Sequence, residues 1–156
     1  DIERFRFVEE PEEICPGVFV FPRLAITDEA DTHFEHFFTE VDGKKQADTF
    51  ADELALVLKQ QDAVSVLSAC SHRGITNILR TVKETFPQTS LKLVLGGFHV
   101  HKVEQEKVDT IVSFLEKHLP ERLGVCHCTG VDKYAMFHQY FNDRVFYSYT
   151  GWVEIL

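Results

Sequence analysis

The spacing of apolar and polar positions divides the chain into a regular part, residues 51–156, and a less regular part before it. Within the regular part, short apolar runs bounded by polar turns are typical of β-strands. Four such runs occupy residues 54–59, 63–69, 91–95 and 123–126. Gln60, Gln61 and Asp62 separate the first two runs, which predicts a hairpin between them.

Helical spacing lies between these runs. Apolar residues three, four and seven positions apart predict amphipathic helices around residues 75–82 and 108–115, which are ended by Pro87 and Pro120. A third helix and two short closing strands are predicted at residues 131–141, 144–149 and 151–155. Alternating strands and helices indicate an α/β fold.

The first 50 residues are acidic, rich in aromatic side chains and largely without a regular period. Residues 17–21 are an exception, because they form a predicted strand closed by Pro22. Residues 27–43 carry six carboxylates and predict a long, solvated excursion over the surface. We therefore expect one domain over residues 1–156, in which 1–50 is an irregular acidic segment and 51–156 is the regular α/β part.

Charge and composition narrow the classes of function. Sixteen Lys and Arg against twenty-five Asp and Glu give a net charge of −9, which disfavours nucleic acid and anionic membrane surfaces as partners. Apolar runs here are too short to cross a bilayer. The chain starts at Asp1 with neither an initiator methionine nor a signal-peptide pattern, so we expect a further segment upstream.

The cysteines point to a reducing compartment. Four of them, Cys15, Cys70, Cys126 and Cys128, are spread over the chain, and this pattern is unlike a disulfide-stabilised secreted domain. Cys126 and Cys128 are too close in sequence for an ordinary disulfide with each other. We expect a cytoplasmic protein whose thiols are core residues or lie near a site.

Three histidines directly follow apolar strands. His72 lies two residues after Cys70, His99 follows Gly96 and Gly97, and His127 directly follows the run 123–126. Parallel strands end at one edge of a sheet, so these imidazoles are expected to converge there. A single loop histidine is usually solvated, but three at successive strand ends favour a shared site. Imidazole suits zinc, iron and manganese.

Other candidates are weaker. His33 and His36 could bind metal, but in an acidic segment a solvated face is the expected interpretation. In an extended segment Cys126 and Cys128 would point away from His127, which argues against a zinc knot. Cys70 could reach the same site or be a buried, inert thiol. The remaining histidines, expected on the surface or on a helix face, are His101, His118 and His138.

The three histidine segments together resemble the metallo-β-lactamase superfamily. They match, in order, Ala-Cys-Ser-His-Arg-Gly-Ile-Thr-Asn at 69–77, Gly-Gly-Phe-His at 96–99 and His-Cys-Thr-Gly at 127–130. The resemblance is to the subgroup of predicted metal-dependent hydrolases that includes the dihydropterin ribofuranosyl-aminobenzene phosphate synthase type. Ala69 stands where that subgroup usually has glycine. The superfamily signature His-x-His-x-Asp-His is absent from the sequence.

The resemblance implies that the chain is the C-terminal half of an αββα sandwich. It implies that His72 and His127 are metal ligands and that His99 lies at the site as a ligand or a substrate-polarising group. The implied cofactor is a divalent metal, zinc or alternatively iron or manganese, which this half alone could lack. Asp52 and Cys70 are further ligand candidates.

The implied function is a metal-dependent hydrolase acting on a small molecule, such as a phosphoester or a pterin-related compound. It would be complete only with the half that carries His-x-His-x-Asp-His; the alternative is a degenerate binding or scaffolding module of the same fold. Half a sandwich exposes an apolar sheet face, so a partner is expected, either the other half or a second copy of the chain. The residues expected to need that cover are Val64, Val66, Leu67, Leu91, Leu93 and Leu95.

Overall fold

The computed structural model of the chain describes residues 2–156. Its strands are β1 (Glu12–Cys15), β2 (Val18–Phe21), β3 (Phe38–Val41), β4 (Lys44–Ala47), β5 (Ala55–Gln60), β6 (Ala63–Ser68), β7 (Ser90–Gly96), β8 (Arg122–Val125) and β9 (Val145–Tyr147). Its α-helices are α1 (Ile75–Thr85), α2 (Gln105–Lys117) and α3 (Val131–Phe141). The predicted α/β class is confirmed, whereas the predicted strand at 151–155 is not formed. Among residues 2–156, no helix is long and apolar enough to cross a membrane.

Seven strands form one mixed sheet in the order β1-β2-β5-β6-β7-β8-β9. The first four pair antiparallel, including the predicted β5–β6 hairpin, and β6 to β9 pair parallel. Because β6, β7 and β8 are parallel, their carboxyl ends lie at the same edge of the sheet. The segments that carry His72, His99 and His127 begin at that edge.

The three helices are the crossovers between successive parallel strands and lie on one face of the sheet, because such crossovers are almost always right-handed. In β6 the alternate residues Val64 and Val66 are buried beneath them, and across a register shift Leu91 and Val94 of β7 pair with these two residues. Each fully buried aliphatic side chain contributes about 1.5–3 kcal/mol. The sheet and helix residues that share this core include Val57, Val64, Val66, Leu91, Val94, Leu123, Ile78, Leu79, Ile111, Leu115 and Phe137.

The opposite face of the sheet, called the open face below, is apolar and only partly covered. Its partly exposed residues are Val18, Val20, Leu56, Leu58, Leu67 and Leu95. The predicted list of uncovered residues mixed the two faces, because side chains alternate along a strand. Val64, Val66 and Leu91 are buried under the helices, whereas Leu67 and Leu95 remain partly exposed.

The N-terminal segment contains more structure than its composition predicts. β1 and β2 extend the main sheet, and Leu24 is fully buried against the core. β3 and β4 form a separate, exposed hairpin, as expected for a solvated excursion. Asp31 and His33 contradict that expectation, because the chain between β2 and β3 crosses the strand ends and buries both side chains.

Candidate metal-binding site

Strained backbone marks all three strand ends that carry histidines. Ser71, His99 and His127 have φ angles of 53°, 52° and 22°, in the left-handed region that non-glycine residues rarely adopt. Each such residue costs on the order of 1–3 kcal/mol and persists only where surrounding contacts enforce it. The strand ends are therefore held in one conformation by the contacts described next.

His72 is oriented by a carboxylate. The backbone N–H groups of His72 and Arg73 donate to the two carboxylate oxygens of Glu53, each at 2.8 Å. The same Glu53 lies 3.3 Å from Nδ1 of His72. Phe50 stacks on the imidazole with ring centroids 3.8 Å apart. With Nδ1 directed to a carboxylate, Nε2 is the ring nitrogen available to a ligand, an arrangement typical of metal-binding histidines.

His99 lies directly against His72, with ring centroids 4.7 Å apart. Its Nδ1 is buried and has no hydrogen-bond partner among the described residues. Burial and, to a smaller extent, the neighbouring imidazoles His72, His33 and His127 together lower the pKa of His99 to about 4. His99 is therefore a neutral imidazole at neutral pH.

His33 was not expected at the site and is part of it. Its side chain is only 2% exposed, its ring lies 5.8 Å from that of His99, and neither ring nitrogen has a hydrogen-bond partner within residues 2–156. The nearest acidic atom is Oδ1 of Asp31, 3.4 Å from Nε2. His36 is exposed, as predicted. We call His33, His72 and His99 the imidazole group.

Hydrogen bonds to polar residues of the motif at 69–77 hold the acidic segment against α1. Asn77 accepts backbone N–H groups of Thr27 and Asp28 at 3.0 and 2.8 Å and donates to Asp28 O and Arg73 O. Asp31 accepts the Thr76 N–H at 2.7 Å. A Cβ at Gly74 would collide with Asp31, so glycine permits this close approach. These contacts bring His33 to the strand ends.

His127 lies among thiols. Its Nε2 is 2.9 Å from Cys70 Sγ, and its Nδ1 is 3.1 Å from Cys126 Sγ. The ligand atoms of Cys70, His127 and Cys128 lie within 4.8 Å of one another. The expectation that Cys128 points away from His127 is wrong, because His127–Thr129 is a 3-10 turn rather than extended chain. We call Cys70, His127 and Cys128 the thiol group.

The two groups are neighbours at one sheet edge. A Cβ at Gly97 would collide with Cys128 Sγ and would lie 2.6 Å from Cε1 of His127, so the glycine segment before His99 packs directly on the thiol group. Burial and then the nearby Cys70 together raise the pKa of Cys128 to about 12, while the backbone N–H of His99 opposes both effects. Cys128 is therefore a neutral thiol unless a cation is bound.

A cavity of about 670 Å³ opens beside both groups. It has the size of a small-molecule site. Lys107 at its rim pairs with Glu35 at 3.3 Å, and the pKa of that carboxyl is lowered by a backbone hydrogen bond and by Lys107. The lining includes His33, Glu35, Phe37, His99, Lys107 and Cys128.

The donors present fit a divalent metal. Within residues 2–156, the imidazole group carries buried ring nitrogens that have no hydrogen-bond partner, which is unfavourable unless a ligand occupies them. Asp52, a candidate ligand, is exposed, whereas the adjacent Glu53 contacts His72. Sequence reasoning missed Glu53 and considered His33 only as a weaker candidate, since neither has a local signal beyond its residue type. The histidines expected on the surface or on a helix face are exposed, and one of them, His101, also lines the cavity; they are His101, His118 and His138.

Comparison with known proteins agrees with the fold and the motifs. The crystal structure of Tm1679, described as a metal-dependent hydrolase of the β-lactamase superfamily, superposes with a TM-score of 0.86 at 31% identity; the match covers 96% of this chain and 57% of Tm1679. The predicted resemblance to the metallo-β-lactamase superfamily and the predicted fold are thereby confirmed. No protein-family model matches the chain.

Two archaeal relatives from Methanocaldococcus jannaschii also match. One is the 7,8-dihydropterin-6-methyl-4-(β-D-ribofuranosyl)-aminobenzene-5′-phosphate synthase, 26% identical over 152 residues that cover 92% of this chain and 51% of the relative. The other, an uncharacterised protein, is 31% identical over 126 residues covering 79% of this chain and 44% of the relative. The chain spans about half the length of the curated relatives it matches, in agreement with the predicted partial fold.

Proposed function

From the fold it shares with a metal-dependent hydrolase, we propose that this chain is one part of such an enzyme, in which His72 and His127 bind a divalent metal. The observation that supports the proposal most is the Glu53 carboxylate on Nδ1 of His72, which leaves Nε2 for the metal. Zinc is the proposed ion, and iron or manganese would accept the same imidazole donors.

His99 is proposed to act on the substrate. Its ring lies against His72 and lines the cavity, so a molecule in the cavity would meet it beside the metal ligands. A metal bound there would supply Lewis-acid polarisation of an ester or phosphoester oxygen. His99 would hold or polarise the substrate, while Phe37 and the buried His33 would exclude water from the inner wall.

The proposed substrate is a small molecule with a hydrolysable ester, either a phosphoester or a pterin-related compound. Support for the pterin class comes from the archaeal synthase that the chain resembles over about half of that protein. The cavity volume suits a molecule of that size. Lys107 at the rim offers a cation to an anionic substrate group, although Glu35 partly neutralises it.

The complete enzyme is proposed to need a second structural half that carries His-x-His-x-Asp-His. Two or three ligands from this chain are fewer than the four donors that zinc prefers. The open face, apolar and partly exposed, is the surface that the second half would cover. A second copy of the chain is the alternative occupant.

Metal analysis of variants tests the ligand assignment. We expect His72→Ala and His127→Ala each to reduce the metal content of the assembled protein by more than half. His138→Ala, which changes an exposed histidine on α3, is the matched control. Unchanged metal in both ligand variants, measured by elemental analysis, would exclude the proposed role.

The open face is tested by Leu67→Asp, which puts a charge on a partly exposed apolar residue. We expect this variant to stay folded and to lose association with the second half in analytical ultracentrifugation. Self-association of the wild-type chain, abolished by the same variant, would assign the face to a second copy. Gln61→Asp, which adds the same single negative charge at an exposed position of the β5–β6 turn, controls for charge alone.

The competing proposal is a degenerate module that binds or scaffolds without catalysis. It would keep association through the open face but show no metal-dependent hydrolysis of phosphoesters once assembled.

The four free cysteines favour a reducing compartment, and we propose the cytoplasm.

A further inference from the structure

We propose that Cys70, His127 and Cys128 form a thiolate site of their own, which takes a soft divalent cation such as Zn²⁺ or Cd²⁺ through two sulfurs and one imidazole. The inference goes beyond the proposed hydrolase, and the two proposals compete for one donor, because Nε2 of His127 can bind only one of the two ions. The inference uses only contacts that these three residues make within this chain.

The positions of the donor atoms carry the inference. Their ligand atoms all lie within 4.8 Å of one another. A tetrahedral zinc ion with bonds of about 2.3 Å to sulfur and about 2.0 Å to nitrogen requires donors roughly 3.5–3.8 Å apart. Cys70 Sγ and His127 Nε2, 2.9 Å apart, would need to separate by less than about 1 Å to admit the ion.

The backbone holds these donors on one side of the sheet edge. Cys128 is turned toward His127 by the 3-10 turn His127–Thr129, in which the Thr129 N–H donates to Cys126 O. Cys126 Sγ contacts Nδ1 of His127, so Nε2 is the nitrogen that faces Cys70. Gly97 leaves open the space beside Cys128 and His127 that a Cβ would fill.

The chemistry separates this site from the imidazole group. Two thiolates are soft donors that favour Zn²⁺ or Cd²⁺ over Mg²⁺ or Mn²⁺. Binding replaces the two thiol protons by the cation, so one ion bound releases two protons to solvent. Three donors leave one position of a tetrahedral ion open.

Cobalt spectroscopy on the full chain tests the proposal. The chain is stripped of metal, kept reduced without oxygen and titrated with Co²⁺, whose thiolate complexes absorb strongly in the near ultraviolet. We expect a thiolate-to-cobalt charge-transfer band at one ion per chain, displaced by Zn²⁺ and Cd²⁺ but not by Mg²⁺. Both Cys70→Ser and Cys128→Ser should lower the band by about half and weaken Co²⁺ binding at least tenfold.

Two controls separate the thiolate site from other causes. Cys15→Ser removes an exposed thiol in β1 and should leave the band unchanged. Circular dichroism checks that each variant is folded, and Cys70→Ser, which alters a partly exposed residue, serves if Cys128→Ser unfolds. Absence of the band in the wild-type chain, or its survival in both serine variants, overturns the proposal.

The failure of this proposal can be told apart from the failure of the hydrolase proposal, even though both use His127. His72→Ala should keep the charge-transfer band, because His72 is not among the three donors. If hydrolysis depends on His72 and no band forms, only the thiolate site is wrong. If the band forms and the assembled protein hydrolyses nothing, only the hydrolase proposal is wrong.

Discussion

The imidazole group and the thiol group occupy the same sheet edge but differ in environment. His33 is buried, His99 has a buried, unpaired Nδ1, and both contribute to an inner wall packed with aromatic rings. His127 is exposed, and its two ring nitrogens already face sulfur atoms. The first group is built by contacts with the acidic N-terminal segment, whereas the second needs only residues from the ends of β6 and β8.

The difference shows that parallel strand ends alone do not set ligand chemistry. Strands β6, β7 and β8 bring all three motif histidines to one edge. What surrounds each histidine then depends on which neighbouring segment packs on it. The acidic segment provides His33 and the turn before β5 provides Glu53 to one group, whereas the 3-10 turn provides Cys128 to the other.

The largest expected effect comes from removing Asn77, which anchors the acidic segment that carries His33 of the imidazole group. Asn77→Ala deletes buried hydrogen bonds to Thr27, Asp28 and Arg73 and leaves their partners unsatisfied. We expect a loss of about 2–4 kcal/mol in the free energy of unfolding, measured in urea. Glu84→Ala, exposed on the same helix, should change it by less than about 0.5 kcal/mol. Equal stabilities of the two variants would contradict the anchoring role of Asn77.

Gly97→Ala tests the packing of the β7 segment on the thiol group. The new Cβ would collide with Cys128 Sγ and lie 2.9 Å from Ala69 O, so we expect a loss of about 1–3 kcal/mol in stability. The affinity of the thiol group for Co²⁺ should also fall. The double variant with Cys128→Ala removes the colliding sulfur and should recover part of the stability, which a double-mutant cycle in urea measures. Additive losses would show that the sulfur is not the obstacle.

Glu53→Gln tests the imidazole group separately from the thiol group, because it removes a charge and keeps a side chain of the same shape. Glutamine can still accept one backbone N–H but lacks the charge that faces Nδ1 of His72. We expect zinc affinity of the His72 site to fall about tenfold to a hundredfold, measured by calorimetry. The cobalt–thiolate band should not change. Asp52→Asn, at the exposed neighbouring position, is the matched control.

Acid should weaken the fold through His99. The pKa of His99 is lowered to about 4 by burial and by neighbouring imidazoles, while an unfolded histidine titrates near 6.5. Between these values the unfolded chain binds more protons, so the stability of the metal-free protein falls as pH drops from about 6.5 to 4. Comparison with His99→Phe isolates this contribution, and identical pH profiles would contradict it. Above pH 6.5 no dependence on this group is expected.

Much of the fold follows from local pattern. The β5–β6 hairpin, the helix spacing around Ile78 and Leu79 and the strand before Gly96 depend on periodicity that residues within a few positions determine. The faces of the sheet were harder to assign. Val64 and Leu67 lie in one strand, yet one is buried under helices and the other is on the open face. Alternation predicts two faces but not which of them the helices cover.

The sequence by itself determined the α/β class, the parallel strand ends and the three histidines that follow them. Only the tertiary structure decided that His33 is buried at the site, that Glu53 orients His72 and that Cys128 turns toward His127. Strand and helix periods are encoded by neighbours in sequence. In contrast, contacts such as His33 with His99 join residues 66 positions apart (99 − 33), and they depend on the path of a segment that has no period of its own.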